Sequence, residues 1–274
     1  MSTSKALGEL VSLKNGAELY VEDHGSGQAL ILIPGWAYSA RVFERNVPNL
    51  SKSHRVVTYD PRGHGRSPGV TDGHDYRTHG QDLHALIEHL QLEEVVLAGW
   101  SLGVYDALSY IDQFGPERVS KLIAIDESPS ILKVNPDQWG EGSAEEIAGL
   151  IAVVESEEYL PFFADYMRGG FVGDAPKDLV SEFTILASSL SSRQAASLLT
   201  DALSYDFQSL LRTLNALMPV LHIVREDWSE AAKRWVAENQ PSAEFEVLGG
   251  HLMCLEFADE FNDRIGRFIE GSTN

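Results

Sequence analysis

A single cysteine, Cys254, stands in 274 residues. It rules out an internal disulfide framework and any zinc site built on several cysteines, and it fits a reducing compartment. Basic residues are scarce beside acidic ones, 21 Lys and Arg against 41 Asp and Glu, for a formal net charge of −20. No local Lys/Arg cluster reverses that balance, so phosphate backbones and anionic lipid are repelled; neither nucleic acid nor membrane is an expected partner. No apolar run approaches the ~18 residues needed to span a bilayer, and residues 1–14 hold no signal-like apolar core. The expected compartment is the cytoplasm. Repeats and low-complexity tracts are also lacking. Only a polar start and the tail from Glu270 to Asn274 read as frayed ends. What remains is an ordinary globular composition, 43% hydrophobic and 23% charged, able to bury a large core.

The pattern that organises the chain is Val95-Val96-Leu97-Ala98-Gly99-Trp100-Ser101-Leu102-Gly103. An apolar run reading as a buried strand meets Gly-x-Ser-x-Gly and then an amphipathic helical pattern, which is the form of a nucleophile elbow. Gly99 and Gly103 remove side chains that would clash where a serine is held on a sharp strand-to-helix turn. Upstream, the alternation from Gly16 to Gly25 predicts an antiparallel strand near the start, and Gln28 to Ile33 reads as a strand buried on both faces. The latter ends in Pro34-Gly35-Trp36, at the sheet end where open α/β sheets bind ligands. The amide of Trp36 is therefore a candidate oxyanion donor beside that of Leu102, with Trp100 as a further substrate contact.

Arg55 to Asp60 forms the next strand and runs into Pro61-Arg62-Gly63-His64-Gly65-Arg66-Ser67. With a helix from Tyr76 to Leu90 and the elbow after it, this order resembles the α/β-hydrolase superfamily across nearly the whole chain. The resemblance implies a mostly parallel central sheet flanked by helices, with an inserted helical cap. Residues 1–129 and 218–274 make the core domain, and 130–217 the cap. It also implies that the Arg62–Ser67 loop is structural. His74, His79, His84 and His89 fall at steps of five, which drift around a helix instead of lining one face; they make no metal site and read as solvated or rim histidines.

Lys121 to Ile125 forms another core strand, with Asp126 at its carboxyl end. A carboxylate there needs a partner to offset desolvation, and orienting a histidine would supply one. After the cap, Pro219 to Val224 restores the core, followed by Arg225-Glu226-Asp227-Trp228. Most members of the resembled family carry their acid shortly beyond this strand, after a glycine. Here Arg225 replaces the glycine and Trp228 stands in the usual acid position, so Asp126 is favoured over Glu226 or Asp227. The final strand ends in Gly249-Gly250-His251, the place of the family's general base. Cys254 has apolar flanks and reads as a packed thiol.

These residues predict acyl transfer, with Ser101 as nucleophile, His251 as base and Asp126 as the acid that orients it. The substrate is expected to be a small, largely apolar ester or lactone, with no cofactor and no metal. An alternative comes from the cofactor-free dioxygenases that open 3-hydroxy-4-quinolone rings on the same scaffold, which the Asp126 and His251 positions also resemble. Those enzymes carry a histidine beside the elbow residue, where this chain has Trp100 and Leu102.

Overall fold

The computed structural model describes residues 8–271. Eight strands form one sheet in the order β1-β2-β4-β3-β5-β6-β7-β8. They are β1 (Glu9–Ser12), β2 (Glu18–Gly25), β3 (Ala29–Ile33), β4 (Arg55–Asp60), β5 (Val95–Trp100), β6 (Val119–Ile125), β7 (Val220–Val224) and β8 (Glu244–Val247). β1 and β2 pair antiparallel, as does β2 with β4, and every other pairing is parallel. Burial follows the patterning. β3, β5 and β7 are buried at every residue, as continuous apolar runs covered on both faces must be, whereas the edge strands β1 and β8 are mostly open. Glu9–Ser12 forms the antiparallel edge strand, with Leu10 and Val11 opposite Tyr20 and Leu19 of β2; residues 1–7 of the polar start expected to fray lie outside the described residues.

The helices are α1 (Val47–Leu50), α2 (Tyr76–His89), α3 (Gly103–Phe114), α4 (Ala144–Val154), α5 (Tyr159–Gly169), α6 (Lys177–Ala187), α7 (Ser192–Ala202), α8 (Gln208–Leu217), α9 (Ser229–Asn239), α10 (Met253–Glu256) and α11 (Ala258–Glu270). Several starts are readable in the chain. Asp75 caps α2 by accepting from the Thr78 N–H at 2.7 Å, and Ser143 and Ser191 form reciprocal capping boxes with Glu146 and Gln194. Helices α4 to α8 fill the interval between β6 and β7. Residues 130–143, ahead of them, are not helical. Trp139 leaves this group to pack beside Trp228 and Val236, against the sheet's β7 side.

The loop after β4 is a structural clamp, as the resemblance implied. Buried Asp60 accepts from the N–H groups of Ala40 (2.7 Å) and Arg66 (2.8 Å), and the Ser67 hydroxyl donates to the Asp60 carbonyl at 2.6 Å. Arg62 forms a two-point pair with Asp82 of α2 at 2.7 and 2.9 Å. Bidentate pairing of this kind fixes direction as well as distance, so the loop anchors α2 beneath the elbow.

Candidate active site

Ser101 sits between β5 and α3 with φ +54°. A non-glycine residue there is strained, and the surrounding contacts hold it: its N–H donates to the Ile125 carbonyl at 2.8 Å, and its carbonyl accepts from Val104. The flanking glycines are required by space. A Cβ on Gly99 would lie 2.5 Å from the Gly103 carbonyl oxygen, and one on Gly103 would lie 2.4 Å from that of Ile33. Strand, elbow helix and the β3 turn are thus in backbone contact, which no larger residue permits.

One strand over, Asp126 repeats this geometry with φ +53°, its N–H donating to the Ile223 carbonyl at 2.7 Å. Its carboxylate is fully buried and has three partners. His251 Nδ1 lies 2.5 Å from Oδ2, the Arg225 guanidinium donates to the same oxygen at 2.9 Å, and the Arg225 N–H donates to Oδ1 at 2.9 Å. Burial by itself would raise the Asp126 carboxyl; the hydrogen bond and charge of His251, then Arg225, outweigh it and hold the group below the ordinary carboxylate range. Burial likewise opposes the Arg225 charge, and Asp126 and Glu141 more than restore it. With the carboxylate beside Nδ1, that nitrogen carries the proton and Nε2 is left as acceptor. The Tyr166 hydroxyl lies 3.1 Å from Nε2 and donates to it.

A cavity of about 60 Å³ opens at the elbow, lined by Ser101, Leu102, Trp36, Glu127, Glu141 and Tyr166 together with apolar side chains of α4, α5 and α7. Among the described residues, no backbone carbonyl accepts from the Trp36 or the Leu102 N–H, and both residues line this cavity. The Trp36 indole donates to the Ala195 carbonyl at 2.8 Å and ties the β3 turn to α7. A second, open cavity of about 440 Å³ lies on the other side of Tyr166, lined by His251, Arg225 and the glycines before His251. Tyr166 and Glu141 face both cavities.

Ser101, Leu102 and Trp36 are therefore brought together, and His251 is joined to Asp126. Trp100 is not at the cavity. As the last residue of a strand buried on both faces it turns into the core, is 0% exposed, and donates its indole N–H to the His251 carbonyl at 2.8 Å. It holds the histidine's backbone instead of meeting substrate. Asp227 points outward and pairs with Arg225 at 3.1 Å, leaving the histidine to Asp126. Tyr166, Glu141 and the Arg225 contact were not evident from the chain. Of these only Arg225 left a trace, as the residue standing where glycine is usual.

A second histidine–aspartate pair lies below the elbow helix. His79 of α2 and Asp106 of α3 are 3.0 Å apart and both buried. His74 and His79 are thus not the solvated residues expected: α2 lays its inner face on α3, and His79 falls on that face. Burial lowers the His79 imidazole, but the Asp106 charge and hydrogen bond outweigh it and the net shift is upward. Neighbouring His64 has no carboxylate, and burial pushes it down to about 3. Among the described residues, no group of three or more His, Cys, Asp or Glu is placed to hold a metal ion, and no helix is long and apolar enough to cross a membrane.

The sheet order, the strained serine after β5 and the histidine after β8 define an α/β-hydrolase. The model of the alpha/beta hydrolase fold family matches residues 28–217, and the chain belongs to that family. It is 38% identical over 125 residues, 45% of each chain, to a protein of Synechocystis named as a non-heme chloroperoxidase. It is 29% identical to the pimeloyl-[acyl-carrier protein] methyl ester esterase of Nitrosospira multiformis, over 91% of this chain and 97% of that one. Matches to the haloperoxidase relatives span about half to three-fifths of their length. Among solved structures, a bromoperoxidase from Bacillus anthracis superposes with a TM-score of 0.86 at 28% identity, over 96% of this chain and all of the other.

Proposed function

We propose that the protein is a serine hydrolase that cleaves ester bonds of small substrates through Ser101, His251 and Asp126. The observation that carries this reading is the strained Ser101 facing a cavity lined by Trp36 and Leu102, with an oriented His–Asp pair on the far side of Tyr166. Substrate entry displaces the Tyr166 hydroxyl from His251 Nε2, which then takes the Ser101 proton as Oγ attacks the ester carbonyl. Negative charge on the carbonyl oxygen is met by the Leu102 and Trp36 N–H groups, each such donor being worth about 3 kcal/mol in comparable sites. His251 returns the proton to the leaving alkoxide, and water then repeats the sequence on the acyl-enzyme. Asp126 fixes the tautomer and offsets the imidazolium charge. The esterase name of the full-length relative supports this direction. An acyl-enzyme can also hand its acyl group to hydrogen peroxide, giving a peracid, so the haloperoxidase names make peroxide an acceptor to include in assays.

One observation favours the dioxygenase alternative: the His251–Asp126 pair is complete while Nε2 is engaged by Tyr166 and not by the serine. A fluorophosphonate probe followed by intact mass separates the two. The expected result is a single adduct, lost in Ser101→Ala, together with hydrolysis of aryl esters. No adduct, with oxygen uptake on a 3-hydroxy-4-quinolone, would reject the hydrolase reading in favour of ring cleavage by the dyad.

A further inference from the structure

Glu127 follows the acid residue directly and is 2% exposed. Its Oε1 accepts from the Ser128 N–H at 2.7 Å, while Oε2 has no protein partner. The residue lines the elbow cavity beside Ser101, so its carboxyl borders the space where substrate would sit. A second carboxyl, Glu141, lines the same cavity and reaches the outer groove. The nearby cation is already shared: the Arg225 guanidinium donates to Asp126, pairs with Asp227 and acts through its charge on Glu141, while Glu127 Oε2 has no partner. Glu127 and Glu141 thus line one small cavity whose lining holds no Lys, Arg or His. Burial, then Glu141, pushes the Glu127 carboxyl well up, as expected of an acid with no compensating charge.

We propose that Glu127, with Glu141 at the mouth, recognises an ammonium group on the substrate, so that the favoured esters carry a protonated amine on the acyl part. This rests on the hydrolase reading above. An ammonium offers three N–H donors and one positive charge, matching an unpartnered oxygen and a second carboxyl. A carboxylate or phosphate would meet two carboxyls and no cation in the lining of this cavity. Binding ionises Glu127, so one proton leaves as each ammonium enters.

Two measurements test the site. The first needs no turnover: Ser101→Ala protein is titrated calorimetrically with n-butylammonium and with n-butanol, in two buffers of different ionisation enthalpy. The ammonium should bind at least about tenfold tighter, with proton release, and Glu127→Gln in the same background should remove that advantage. The second compares kcat/KM for the methyl esters of 4-aminobutanoate and pentanoate, which differ by ammonium against methyl. The native protein should prefer the amino ester by about tenfold or more; Glu127→Gln should collapse the ratio, and Glu141→Gln should reduce it by less. Unchanged thermal transitions establish that the variants are folded. Equal binding of amine and alcohol overturns the inference, as does amine binding without preference in turnover. If pentanoate is hydrolysed and no preference exists, the ammonium site fails and the hydrolase stands. If neither ester reacts yet the ammonium binds through Glu127, the hydrolase reading fails and the site stands.

Discussion

Among the described residues two buried histidine–aspartate pairs stand out, and their surroundings differ. His251–Asp126 joins the ends of a strand and a loop at the carboxyl edge of the sheet, with the Arg225 guanidinium on the carboxylate and a cavity beyond. His79–Asp106 joins two helices packed face to face, with no arginine on Asp106 and a cavity of only about 10 Å³ beside it, where Tyr76, His64 and Leu102 close around the pair. The carboxyls respond accordingly. Asp126 is held below its ordinary range, whereas burial raises Asp106 more than its histidine can lower it. A His–Asp pair is therefore not a site by itself; on the proposed function, Ser101 and the elbow cavity are what make His251–Asp126 one.

Separating the two acids gives the largest expected effect. Asp126→Asn should cut kcat on an aryl ester by roughly 10³ to 10⁴, through loss of the productive tautomer, while Asp106→Asn should leave kcat/KM near the native value. Comparable losses in both would abolish the distinction. Arg225→Ala comes next. It leaves Asp126 buried with only the histidine opposite, and should destabilise the protein by about 3 kcal/mol in denaturant unfolding at neutral pH. Because the Asp126 carboxyl is depressed in the fold, its contribution is present above the unfolded carboxylate value and lost as pH falls through the lower folded one. The Arg225→Ala difference should therefore shrink in strong acid. The smallest effect belongs to the other pair. His79 is raised in the fold, so its contribution is complete below the unfolded imidazole value, about 6.5, and is lost as pH rises through the folded one. Raised Asp106 acts in the same direction. The melting temperature should decline above neutrality in the native protein and less so in His79→Gln. A parallel decline in both would assign the slope elsewhere.

Much of the site is local in origin and so readable in the chain. Ser101 is announced by glycines that only a strand-to-helix contact requires, and His251 by two glycines after the last strand. Asp126 emerges because Arg225 stands where a glycine, and Trp228 where a later acid, is usual. The unreadable parts depend on packing between distant elements. Tyr166 reaches Nε2 only because α5 crosses the elbow, and Glu141 gains its place from a non-helical segment with no periodic signal. His79 is misleading for the opposite reason: a five-residue spacing looks random around a helix, yet one member of the series falls on the face that α3 covers. Trp100 misleads too, since adjacency to the serine in sequence puts it on the opposite side of the strand.

Ser101 and Asp126 follow paired residues of adjacent parallel strands, Trp100 beside Ile125, and each bends left-handed after passing its N–H to the next strand. Ser101 and Asp126 are therefore carried by the sheet's own register and not by the helices between β6 and β7. On the proposed function, helices α4 to α7 can be exchanged, shortened or redesigned to admit other substrates without resetting the spacing of these two residues. A one-residue slip between β5 and β6 would destroy the site even with every side chain retained.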